Sequence, residues 1–318
     1  MRLRVIRWFA VLSIVFGAIA AGQTNPPGSS AAREDAGTPR FNVETTLVLI
    51  PVTVTDPSNR FVLGLRKQDF HIFEDGVEQS ITHFSGEDAP LSIGLLFDAS
   101  GSMDDKMRTS RKAAAQFLQT MNPSDEAFLI QFGDHPELVS GFTHDISDIQ
   151  TRLANVQPGG LTALLDAAEM ALHEMKKATN TRKAILIVSD GGDNNSQYSA
   201  KQIQSLVREA DVQVYAMGVF EPVLFPGLSG EEISGPRLLS ELAEQTGGRA
   251  FTASDPNDLP SVASRIGIEL RNQYVLAYTP KNQAKDGKYR KVEVKVTQPS
   301  SIPTLKAHWR LGYYAPAQ

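Results

Sequence analysis

The chain has 318 residues, room for one large domain or two smaller ones, and its 41% hydrophobic content is ordinary for a protein with a buried core. A formal charge of −5 without any long basic stripe argues against a nucleic-acid partner. There is no cysteine, which excludes a disulfide framework, a thiol nucleophile, a Cys-zinc site and a lipid-anchored N-terminal cysteine.

Arg2, Arg4 and Arg7 precede an apolar run from Trp8 to Ala21, and Ala18-Ile19-Ala20 offers the small-x-small pattern of a signal-peptidase site. This is the three-part layout of a secretory signal, so residues 1–20 are expected to direct export through the Sec pathway, to the periplasm or to the cell surface and beyond. The run falls short of the roughly 20 residues that span a bilayer, so no stable transmembrane span is expected in the mature protein. Losing residues 1–20 would leave 28 basic against 36 acidic side chains, a net charge of −8. Residues 21–41 are dominated by Gly, Pro, Ser and charges, and read as a disordered linker.

Residues 42–88 read as the first part of a β-domain. Val48, Ile50, Val52 and Val54 alternate with Leu49, Pro51, Thr53 and Thr55, the period of a half-buried strand. Asp56-Pro57-Ser58-Asn59 is a turn. Phe70 to Phe73 is a second strand, Asp75-Gly76 suits a type I′ hairpin, and a single partner strand is expected through Ile81 and Phe84.

The pattern then changes, and residues 89–271 read as an α/β domain. Leu91 to Phe97 is a mostly apolar run, as for a strand buried on both faces. A helix is expected over Asp104–Met121, with Asp104 and Asp105 complementing its dipole. Strands follow at Ala127–Phe132 and Leu138–Phe142, the second antiparallel, then helices at Asp145–Asn155 and Leu164–Ala178. Ala184–Val188 is a strand, Ser199–Ala210 a helix and Val212–Val219 a strand. Pro236–Gln245 is a helix stopped by Gly247-Gly248, Arg249–Thr252 a short strand, and Leu259–Leu270 the last helix. Such alternation implies right-handed crossovers and a doubly wound, mainly parallel sheet.

From residue 272 to 318 the period of two returns, at Tyr274–Tyr278, Tyr289–Val296 and Lys306–Tyr313. The Lys281, Lys285, Lys288, Arg290 and Lys291 cluster reads as a solvated hairpin face. Each strand-rich flank is too small to be stable alone, so the two are expected to form one smaller, β-sandwich-like domain into which the α/β domain is inserted.

Three loops carry chemistry. The strand ending at Phe97 runs into Asp98-Ala99-Ser100-Gly101-Ser102, at the strand end where parallel sheets bind ligands. Gly159-Gly160-Leu161-Thr162 precedes a helix that Thr162 could cap. Val188-Ser189-Asp190-Gly191-Gly192 follows another buried strand, with Asp193 read as a turn residue. Hydroxyls and carboxylates are hard oxygen ligands, suited to Mg2+ or a similar cation and unsuited to zinc. The six histidines form no His-x-x-x-His or Glu-x-x-His pair, and no Gly-Lys-Ser/Thr follows Gly159-Gly160 to make a phosphate loop.

Asp98, Ser100, Ser102, Thr162 and Asp190 resemble the metal-ion-dependent adhesion site of von Willebrand factor A (VWA) domains: Asp-x-Ser-x-Ser, a threonine on a second loop and an aspartate on a third. The resemblance covers roughly Leu91 to Leu270. It implies a divalent cation, Mg2+ with Mn2+ or Ca2+ as alternatives, held directly by the serines, with the aspartates acting largely through water. It implies a protein or surface ligand that offers a carboxylate, and no catalysis. Asp69-Phe70, Glu74-Asp75-Gly76, Leu242 to Gly248, Gln273 to Leu276, Tyr278-Thr279-Pro280, Gly287 to Lys291 and Gly312-Tyr313-Tyr314 also resemble the VWFA-related proteins abundant in Acidobacteria. Two alternatives stand beside this expectation. One is a metal-dependent hydrolase with Asp98 as nucleophile, although Ser100 stands where such enzymes place a second carboxylate and no general base is evident. The other is a structural component of the envelope. Val223, Leu224 and Phe225, in the Pro- and Gly-rich stretch from Phe220 to Gly235, are apolar residues after a strand of the same sheet edge, and Leu224 and Phe225 are expected either to tuck against the adjacent β-domain or to contact the partner.

Overall fold

The computed structural model describes residues 47–219, 230–253, 255–297 and 304–317. The expected leader, the linker, and Leu224 and Phe225 lie outside the described residues. Among those described, no helix is long and apolar enough to cross a membrane.

The strand-rich flanks supply two four-stranded antiparallel sheets. From the first flank come β1 (Val48–Thr55), β2 (Phe70–Glu74), β3 (Val77–Gln79) and β4 (Ile81–Ser85). From the second come β11 (Tyr274–Tyr278), β12 (Tyr289–Val296), β13 (Lys306–Trp309) and β14 (Gly312–Tyr314). One sheet has the order β13-β1-β11-β4 and the other β14-β12-β2-β3. Their facing side chains share one apolar core, with Ile50, Val52 and Leu276 from the first sheet against Ile72, Val292 and Val294 from the second. The alternation read in β1 and β12 is what places those residues on one face. Buried Glu74 lies in this core, accepting from the hydroxyls of Tyr278 at 2.9 Å and Tyr313 at 2.8 Å.

Two expected strands are each split between the sheets. The hairpin partner after Asp75-Gly76 is β3, pairing Glu74 with Val77; the chain breaks at Ser80, and β4 joins β11 in the other sheet. Likewise Lys306–Tyr313 divides at Arg310-Leu311 into β13, beside β1, and β14, beside β12. Ile81 keeps the parity of buried Gln79, and Tyr313 that of Trp309, so the alternation runs through both breaks and neither shows in the pattern. Arg290 departs from the solvated face expected of its cluster: it is buried and bonds Asp286 at 2.8 Å.

Between β4 and β11 lies the α/β region. Its strands are β5 (Leu91–Asp98), β6 (Glu126–Phe132), β7 (Pro136–Thr143), β8 (Arg182–Ser189), β9 (Gln213–Gly218) and β10 (Ala250–Thr252). They form one sheet, β10-β9-β8-β5-β6-β7, parallel throughout except for antiparallel β7. Helices α1 (Met107–Leu118), α2 (Ile146–Asn155) and α6 (Leu259–Arg271) cover one face. Helices α3 (Leu164–Glu174), α4 (Ala200–Glu209) and α5 (Gly230–Glu244) cover the other. All eight residues of β5 are buried, as its apolar run requires. The chain leaves β5 toward β6 on one side and later returns as β8 on the other, so the C-terminal end of β5 is the topological switch point, where doubly wound sheets open a crevice.

Two helix starts differ from expectation. Residues Gly101–Lys106 form a 3-10 turn before α1, so Asp104 and Asp105 are exposed on that turn and not in the first turn of α1. Helix α5 begins at Gly230, six residues before Pro236, which sits inside it.

Candidate metal centre

The switch point gathers the three loops. Asp98, the last residue of β5, is fully buried. Its Oδ1 accepts from the Ser100 amide at 2.9 Å, and its Oδ2 accepts from Ser189 Oγ at 2.5 Å. Ser189 Oγ accepts in turn from the Gly191 amide at 2.9 Å, so one hydroxyl ties the first loop to the third. Ser100 Oγ and Ser102 Oγ lie 3.1 Å apart, the first buried and the second open to solvent. Backbone bonds join the first and second loops: the Gly101 amide to the Gly160 carbonyl at 3.0 Å, and the Gly159 amide to the Ala99 carbonyl at 2.8 Å.

Thr162 is buried at this junction, but it does not cap α3. Its amide donates to Asn194 Oδ1 at 2.8 Å, and its carbonyl accepts from the Asn194 and Asn195 amides, both at 3.0 Å. The first turn of α3 is satisfied instead from the third loop. The Leu165 amide donates to Asp193 Oδ1 at 3.2 Å and to Ser196 Oγ at 3.0 Å. Asp193, read as a turn residue, thus satisfies a helix N-terminus across the chain. The Gly160 and Gly191 backbones have φ of +80° and +79°, the left-handed region that glycine adopts without strain. A Cβ on Gly191 would lie 2.6 Å from the backbone of Gly235 in α5, so this contact holds the third loop against that helix.

Asp190, 6% exposed at its side chain, pairs with Lys106 Nζ at 3.2 Å. Burial pushes the Asp98 carboxyl up to about 6; hydrogen bonds from Ser100 and Ser189 pull it down, and the nearby Asp190 charge adds to the rise. The site is therefore two withdrawn carboxylates beneath a pair of hydroxyls, with one ammonium among them. Among the described residues, no three His, Asp or Glu side chains converge as a metal cluster. On the second loop, Leu161 is 49% exposed.

Sequence reasoning placed Asp98, Ser100, Ser102, Thr162 and Asp190 on these loops, and that is where they lie. It did not see Lys106 or the bridging role of Ser189. Ser189 could have been noticed as a polar residue ending an otherwise apolar strand. Nothing in the spacing marks Lys106, because its reach to Asp190 depends on the 3-10 turn.

An open, mainly parallel sheet with polar loops at its switch point defines a domain of the doubly wound α/β class. Residues 93–192 match the von Willebrand factor type A domain family, so the chain carries a VWA domain over that stretch. Inter-alpha-trypsin inhibitor heavy chain H4 of Bos taurus is 27% identical over 134 residues, covering 38% of this chain and 15% of that one. An uncharacterised protein of Borreliella burgdorferi is 22% identical over 188 residues, 52% of this chain and 55% of the other. The chain therefore spans a small part of the first relative and about half of the second. Among solved structures, proximal thread matrix protein 1 from the mussel byssus superposes with a TM-score of 0.50 at 20% identity, covering 62% of this chain and 51% of that one. A further structure of that mussel protein has a zinc occupied MIDAS motif.

Proposed function

We propose that this protein is an exported binding module whose three loops hold a divalent cation, Mg2+ or Mn2+, and present it to a carboxylate of a protein or surface ligand. The observation that carries the reading is the pair of hydroxyl oxygens 3.1 Å apart beside buried Asp98. The two hydroxyls share a hydrogen bond, and neighbouring ligand oxygens in an octahedron with 2.0–2.1 Å contacts lie about 2.9 Å apart, so little movement would set both on one cation. Fully buried Asp98, with its carboxyl raised to about 6, is an ill-compensated group of the kind that a bound cation would stabilise. Ser100, Ser102 and Thr162 would hold the ion, with Asp98 and Asp190 in support. The cation supplies an electrophilic position for an oxygen anion from outside. With hydroxyls as the nearest donors, little of its charge is neutralised by the protein, which favours capture of a partner carboxylate. Exposed Leu161 at the rim adds apolar contact of the kind found at interface centres.

Residues 1–20 would act as the export leader, and residues 89–271 as a domain inserted between the flanks 42–88 and 272–318. Leu224 and Phe225 are proposed to contact the partner. Calorimetric titration of the purified chain with MgCl2 and MnCl2 tests the cation. Saturable binding that Asp98→Ala abolishes is expected; binding unchanged in that variant would remove the assignment. The acidic partner is tested by whether capture from envelope extract is lost with chelator and with an excess of a carboxylate-bearing peptide.

A further inference from the structure

Lys106 plays no part in the cation reading, yet its ammonium lies inside the site. Asp190 Oδ2 and Lys106 Nζ are 3.2 Å apart, with the lysine side chain 12% exposed and the aspartate 6%. On an open surface such a pair is screened and weak. Here both ends are withdrawn from water, so the bond is charge-assisted and little screened. Lys106 closes the 3-10 turn that begins at Gly101, which fixes its backbone relative to Ser100 and Ser102. Its long, flexible stem lets the ammonium leave Asp190 without any movement of that turn.

An ammonium and a dication are rivals for one carboxylate. A positive charge at contact distance from Asp190 also repels a cation arriving there. We propose that Lys106 is an internal competitor for the cation: its ammonium holds Asp190 in the metal-free protein and releases it on loading. The inference rests on the cation reading above. It accounts for the contact that holds Asp190 before loading, and it gives the site a threshold. Cation affinity is set below what the oxygen donors alone would give, so occupancy responds to ion concentration and to a partner that favours the loaded form.

The test is calorimetric titration with MgCl2 and MnCl2 of the wild-type chain, Lys106→Met and Lys106→Arg. Methionine keeps the stem and removes the charge. The Met variant is expected to bind about tenfold tighter, while its metal-free form melts at a lower temperature because Asp190 has lost its counter-charge. The Arg variant should bind no tighter than wild type. A Met variant that binds equally or more weakly makes Lys106 a supporting residue and overturns the competitor. If neither wild type nor the Met variant binds a cation, the cation reading falls and takes this inference with it. A second measurement needs no variant. Acylation of Lys106 by an amine-reactive reagent, read by mass spectrometry on the wild-type chain, should speed up several-fold when saturating Mg2+ is added. Reactivity that stays level or falls overturns the proposal whatever the variants do.

Discussion

The two ends of the α/β sheet handle buried charge in opposite ways. At the N-terminal end two withdrawn carboxylates, Asp125 and Glu269, each have a guanidinium, and a third, Glu126, accepts from the Ser92 hydroxyl at 2.6 Å and the Thr179 amide at 2.7 Å. Asp125, buried just before β6, pairs with Arg271 and also accepts from the Leu91 and Asn122 amides at 2.8 and 2.7 Å. Asp88 lies 3.2 Å from Arg271 and 3.6 Å from Arg182. Glu269, fully buried in α6, pairs with Arg249 at 3.0 Å and accepts from the Tyr215 hydroxyl at 3.2 Å. At the C-terminal end, Asp98 has hydrogen bonds from a serine hydroxyl and an amide and no guanidinium, and Asp190 has one lysine. The first arrangement closes a junction. The second sets two withdrawn carboxylates against a single ammonium, the arrangement on which the proposed cation site rests.

The largest expected effect lies at the structural end. Arg271→Ala strands buried Asp125 without its counter-charge and should cost about 3–5 kcal/mol of stability in urea denaturation, while leaving the cation dissociation constant of any folded fraction unchanged. A loss of cation affinity at constant stability would mean that the two ends are not separate.

The second effect lies at Asp98 and is read by pH. Its folded-state carboxyl, raised to about 6 from 3.8, binds a proton more tightly than in the unfolded chain. Stability of the metal-free protein from this group is therefore greatest below pH 4 and declines as pH rises to 6, by roughly 2–3 kcal/mol in all. Denaturation curves at pH 4.5, 5.5 and 7 in chelator should show that decline, and Asp98→Asn should remove its share. Identical pH profiles for the two proteins would contradict the desolvation argument. The smallest effect sharpens the point that burial matters more than pairing. Arg152 and Asp148 form a pair at 2.7 Å, but with side chains 48% and 40% exposed. Arg152→Ala should change stability by less than about 0.5 kcal/mol, measured in the same urea titration.

The sequence made the sheet legible because β5 and β8 are apolar runs and the flanking strands alternate, and these patterns map directly onto burial. The five loop residues were legible because each follows or precedes an element whose end the pattern marks. What lay hidden depends on direction changes that leave periodicity intact. The breaks at Ser80 and at Arg310-Leu311 send neighbouring strands to different sheets without altering the alternation. The cap on α3 from Asp193 and Ser196 comes from a different loop, and the Lys106 contact from a 3-10 turn where an α-helix was expected. Arg290 looked like one more surface cation, and only the fold of Asp286 back onto it shows otherwise.

The way the α/β region joins the sandwich bears on the order of folding. Strands β4 and β11 pair, with Ser85 opposite Val275, so the whole α/β region occupies the place of a hairpin loop. Closing a loop of that length in an unstructured chain costs about 4–5 kcal/mol in entropy before any rung of the ladder forms. Once the α/β region is folded, its own ends are already together, since Asp88 just before β5 is bonded to Arg271 at the end of α6. The closure cost has then been met by local contacts within that region. The kinetically ready sequence is α/β first, with β4 and β11 zipping up behind it, and Arg271 acts as the clasp that turns a long loop into a short one.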